Sequence, residues 1–226
     1  MLFDLRSPGR RFAIKIIYGA LALLLGGGLV LFGIGSGTQG GGLFDALSSD
    51  SGKLSDDAFI KRADAQEKRT VANPTAANYA ELARLRVQSA EVDEKTGVFT
   101  KDGRKQLVLA DRAWTAHLQK AGDKPDARAA NVIQIAYDPA ALNQPQKGYT
   151  AMEVVVNAQG SKATPQQYVT LAYWAYLAKN TRQAKLAGEK ALELTPKDER
   201  ANIKSALDAY AAQAKEASGQ TTTTPG

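Results

Sequence analysis

The 226-residue chain is 44% hydrophobic and 23% charged, which suits one folded domain with additional segments. It has no cysteine and one histidine, His117, so disulfides, thiolate metal sites, a cysteine nucleophile and a multi-histidine metal centre are excluded. The formal charge is +6, but lysine and arginine are interleaved with acids, as in QEKR (66–69), KDGRK (101–105) and PKDER (196–200). Such mixtures form solvated helix faces, and no basic stripe for nucleic acid is present.

Residues 16–35, IIYGALALLLGGGLVLFGIG, carry no charge. As a helix they span about 30 Å, the thickness of a bilayer core. Arg6, Arg10, Arg11 and Lys15 precede them, and the next basic residue is Lys53. The positive-inside rule places a basic tip (1–15) in the cytoplasm and everything after the span outside. The run is longer than a signal-peptide core and no A-x-A site follows, which predicts an uncleaved anchor. Residues 36–54 are a Gly/Ser-rich linker. Gly35 to Gly40 matches G-x-G-x-x-G but leaves a span and opens no helix, so it is no dinucleotide site.

A helical domain is predicted over 55–217. Ser55-Asp56-Asp57 caps a helix to about Val71. Asn73-Pro74 restarts the chain, proline being tolerated at the first helical position. The next helix carries Tyr79, Leu82 and Ala83 on one side. Turn chemistry around Lys95-Thr96-Gly97 and Lys101-Asp102-Gly103 then predicts an insertion at 91–103 with a strand-like Val98-Phe99-Thr100. Its acids lack the alternate spacing of a calcium loop. Helix resumes at about Arg104, with Ala110, Trp114 and His117 on one side and Trp114 expected beneath the insertion. A regular pair follows, Val132, Ile135 and Ala136 facing Gly148, Met152 and Val155, with Pro139 and Asn143-Gln144-Pro145 between. Thr164-Pro165-Gln166-Gln167 reads as a capping box. Thr195-Pro196 starts a capping helix over 198–217 with a polar outer face (Lys204, Asp208, Gln213), and 218–226 is a low-complexity tail.

Residues 165–196 carry the clearest pattern, PQQYVTLAYWAYLAKNTRQAKLAGEKALELTP. Tyr168, Leu171 and Ala172 lie on one helix and Ala184, Gly188 and Ala191 on the next, with Pro196 closing the unit. The unit resembles a tetratricopeptide (TPR) repeat, a helix–turn–helix module of about 34 residues. Ala172, Ala184 and Ala191 then mark where two helices approach most closely. The same spacing predicts repeats at about 76–125, broken by the insertion, and at 129–162. The expected fold is all-α, one transmembrane helix followed by a TPR-like solenoid of about three helical hairpins with flanking helices. The layout is similar to membrane-anchored extracytoplasmic TPR proteins of bacteria. The anchor resembles those of periplasmic prolyl-isomerase chaperones that work beside the secretion channel.

In TPR proteins the first helices of successive repeats line a groove. The resemblance therefore implies partner-binding positions at Arg84, Tyr137 and Tyr173, each following the small residue. It also implies Ala80, Ile133 and Val169 four residues earlier, and Gln88 and Tyr176 farther along. Tyrosine suits peptide capture, combining apolar area with a polar tip. The alternative for Tyr137 and Tyr173 is packing between repeats. No catalytic, cofactor or metal residue stands out: there is no P-loop, and His117 has no triad partner nearby in sequence. The predicted partner is a protein or peptide, with the membrane contacted through one span and no small-molecule substrate evident. Groove positions hold mostly Ala, Ile, Val and Tyr, which favours an apolar or mixed segment over an acidic tail. Two roles fit, an adaptor docking a partner near the membrane and a scaffold for cell-envelope or cell-wall assembly enzymes. An enzyme using the insertion would instead require clustered acids and bases there with displaced pKa values.

Overall fold

Side-chain caps start most of the helices in the computed structural model, which describes residues 56–93 and 96–219. The hydroxyls of Thr75, Thr100 and Thr164 accept from the backbone N–H three residues on, and Asp126 and Asn180 do the same with side-chain oxygens. Gln167 reaches back to the Thr164 N–H at 2.8 Å, completing the expected capping box.

Among the described residues eight α-helices result: α1 Asp56–Ala72, α2 Ala76–Gln88, α3 Lys101–Ala121, α4 Ala127–Ile133, α5 Pro145–Gln159, α6 Pro165–Leu177, α7 Thr181–Leu194 and α8 Arg200–Gly219. A 3-10 turn, Gln134–Tyr137, continues α4, and another, Gly160–Lys162, follows α5. The described residues are thus all-helical, with one isolated antiparallel bridge, Val92 to Phe99. Among them no helix is long and apolar enough to cross a membrane. The expected tip (1–15), span (16–35), linker (36–54) and all but the first two residues of the tail (218–226) lie outside the described residues.

Consecutive helices pack as pairs, α2 on α3, α4 on α5 and α6 on α7. Their short connections make them antiparallel. His117 near the end of α3 bonds the Ala76 carbonyl at the start of α2, 2.9 Å away. Between pairs, α2 packs on α4 and α5 on α6, while α1 rests on α2 and α8 closes against α6 and α7. The core forms where small residues let helices meet. Ala83, Ala110, Ala136, Ala172, Ala184 and Ala191 are fully buried. Gly148 lies beneath the Trp174 ring, which a side chain there would strike. A Cβ on Gly188 would come within 3.1 Å of Leu207 on α8.

Four expectations are corrected. The insertion is shorter than 91–103, because Thr100 caps α3 and the helix begins at Lys101. Residues 91–100 form a small hairpin, with Asp93 N–H donating to Val98 O at 2.9 Å and Thr100 N–H to Glu91 O at 3.1 Å. Pro74 stands outside α2, whose cap is Thr75. Helix α8 starts at Arg200 and runs to Gly219. Thr195 is not its cap, since its hydroxyl turns back to the Ala191 carbonyl at 2.6 Å. Trp114 does not lie beneath the insertion. It stacks on His117 with centroids 4.9 Å apart, at the opposite end of α3, where His117 Nε2 accepts from the Asp126 N–H.

Candidate partner-binding face

The eight groove positions divide into three groups. Ile133, Tyr137 and Val169 are interior, at 0%, 0% and 1% exposure, and Ala80 is buried with them. They are corrected from surface to core. Helix α4 ends at Ile133 and tightens into a 3-10 turn, which draws Tyr137 inward. The Tyr137 hydroxyl donates to Asp111 at 2.8 Å, and Asp111 also accepts from Lys147 on α5 at 2.8 Å. The ammonium of Lys147 lies 5.8 Å from the Tyr137 ring centroid. Burial, then the charge of and hydrogen bond to Asp111, raise the Tyr137 pKa above its ordinary value. The packing alternative therefore describes Tyr137.

Arg84 and Gln88 are half-buried on α2, one turn apart on the same face. Arg84 donates to Glu81 from Nε at 3.0 Å and from Nη2 at 2.9 Å.

Tyr173 and Tyr176 are half-buried on α6, a helix with no charged residue and no fully exposed position. They are three residues apart and share a face. The Tyr173 ring meets Tyr210 of α8 edge-on at 4.9 Å and Trp174 at 5.4 Å. Trp174 is held in turn by a 2.7 Å bond from its Nε1 to Gln134 Oε1, both buried, which fixes α6 against the turn after α4. Two carboxylates border the tyrosines. Asp138 lies against the Tyr173 hydroxyl, and Asp208 lies close enough to Tyr176 to act on its titration.

These groups perturb one another through burial and charge. Burial, then Asp138 and Tyr210, push the Tyr173 hydroxyl up. Burial, then Asp208, does the same to Tyr176. Burial raises the Asp138 carboxyl above the usual carboxylate range, opposed by the Ala140 N–H, which donates to it at 2.8 Å, and by Tyr173. Phenols shifted upward stay protonated at neutral pH. They offer hydrogen bonds and ring faces, not general-base chemistry.

Sequence reasoning missed Asp138 and Tyr210. Tyr210 had a signal, because Ile203, Leu207 and Tyr210 repeat at helical spacing and turn inward. Asp138 had none, since its place depends on where the 3-10 turn delivers it. Around the hairpin, Asp102 is pulled down by its hydrogen bond to Lys105 and then by that residue's charge. Among the described residues no group of His, Cys, Asp or Glu could hold a metal ion. No family model, curated protein or solved structure matches this chain.

Proposed function

We propose that this chain is a membrane-tethered TPR-like adaptor whose helical domain binds a protein or peptide segment outside the cytoplasmic membrane. The observation that carries the reading is the face of α6, where Tyr173 and Tyr176 keep partial exposure on an apolar, charge-free helix. Rigid aromatics held by packing on both sides suit capture at little entropic cost. Three antiparallel pairs with small residues at their closest approach support the repeat reading. The uncharged run at 16–35 with its preceding arginines supports the tether and its direction.

Binding is tested by photo-crosslinking the full chain in native membranes, with the probe at Tyr176 and a control at exposed Lys68 on α1. Discrete adducts at Tyr176 and none at Lys68 are expected. Adducts containing secretion-channel subunits, emerging chains or a chaperone assign the secretion role. Envelope or cell-wall enzymes assign the scaffold role. Equal labelling at both sites, or none at Tyr176, contradicts a binding face on α6.

A further inference from the structure

We infer that the segment bound at this face presents a cationic side chain, an arginine or a lysine, to the tyrosines and carboxylates where α6 meets α8. This deepens the binding-face reading above and rests on it. Two half-buried tyrosines, the buried Tyr210, half-buried Asp138 and exposed Asp208 are the groups concerned. Tyr173 and Tyr176 come from α6, Tyr210 and Asp208 from α8, and Asp138 from the residue after the 3-10 turn. The Tyr173 and Tyr210 rings are in contact, Tyr173 touches Asp138, and Asp208 acts on Tyr176.

The charge is what selects the occupant. Among the described residues neither Asp138 nor Asp208 forms an ion pair, although the chain as a whole is basic. Asp111 shows the contrast: it too accepts from a tyrosine hydroxyl, but Lys147 neutralises it at 2.8 Å. Asp138 has the tyrosine without the lysine. A half-buried carboxylate without a cation is costly, and that cost is relieved when a cation arrives. Tyrosine faces favour the same guest, because the negative face of the ring attracts a guanidinium or ammonium. A bound acidic segment would meet two like charges, and a wholly apolar one would desolvate half-buried Asp138 further and cover exposed Asp208. Planar, weakly hydrated arginine fits better than lysine, since it can stack on a ring while its N–H groups reach a carboxylate.

The test uses the full chain in detergent micelles and short labelled peptides of alanine and leucine. These are identical except for one central arginine, lysine, glutamine or glutamate. The arginine and lysine peptides should bind at least about ten-fold more tightly than the glutamine peptide. The Asp138→Asn, Asp208→Asn double variant should bring all affinities to the glutamine level while leaving the glutamine peptide unaffected. Thermal melting of that variant confirms folding, which neutralising Asp138 should favour. Equal binding of the glutamine and arginine peptides, or a preference that survives in the double variant, overturns the cation inference and leaves the binding face standing. Failure of every peptide to bind overturns both.

Discussion

Asp138 is the residue at which the proposed binding face works against the fold. Burial raises its carboxyl pKa above the ordinary 3.8, so the folded chain holds that proton more tightly than the unfolded chain does. The contribution to stability is complete below 3.8 and is lost as pH rises through the raised value. At neutral pH the ionised carboxylate is therefore a liability. Asp138→Asn keeps an oxygen for the Ala140 N–H and removes the charge. Its melting temperature should exceed the wild type's at neutral pH, with the gap closing below 3.8, where both are neutral. Melts at the two pH values check this, and a lower melting temperature at neutral pH contradicts it. Gly148 makes a complementary case, sustaining the fold by absence. A methyl group there would collide with the Trp174 ring, whose Nε1 is already committed to Gln134. Gly148→Ala should cost about 1–3 kcal/mol in denaturant unfolding, because overpacking must shift a fixed indole. A change near zero would mean that the ring moves freely.

Helix α1 depends on charge more than its neighbours do. Its buried face is Ala63, Gln66 and Thr70, so only one of three contacts is apolar. Gln66 and Thr70 bond the Asn78 carbonyl at 3.2 and 3.3 Å. Asp64 and Glu67 meet the buried Arg86 guanidinium at 2.9 and 2.6 Å, and Gln106 accepts from it at 2.9 Å. Neutralising both carboxylates leaves a buried cation facing only neutral amides. Asp64→Asn with Glu67→Gln should destabilise the chain by about 2 kcal/mol, below the usual cost because both acids are half-exposed. Adding Arg86→Met should recover most of the loss. Amide exchange should quicken first in α1; uniform acceleration across the domain would show that α1 unfolds only with the rest.

The elements that were legible in sequence are those whose local and long-range signals agree. Over 165–194 the capping box, the apolar spacing and the small residues all point to one helical pair, and α6 and α7 begin and end there. The start of α3 was misread because Lys101-Asp102-Gly103 is turn chemistry when taken alone. Thr100 converts it into a capped first turn, and Gly103 is required there because its Cα sits against the Glu91 backbone. Ile133, Tyr137 and Val169 were misplaced for a different reason. Repeat spacing gives the side of a helix but not what later packs over it, and the 3-10 turn after Ile133 changes the angle. Tyr173 and Tyr176 stayed half-exposed, whereas the acids beside them come from a turn and from another helix.

At the scale of the whole molecule, the proposed function requires the uncharged run at 16–35 to act as a tether for the helical domain. The direction of that proposed tether would decide which compartment supplies the proposed partner. The absence of cysteine allows a clean measurement of that direction, since each introduced thiol is the only one present. Full-length chain carrying Cys in place of either Ser7 or Lys204 would be treated in intact spheroplasts with a membrane-impermeant maleimide. Labelling is expected at position 204 before lysis and at position 7 only after it. Labelling at position 7 alone before lysis would place the helical domain in the cytoplasm and contradict the tethered-adaptor reading.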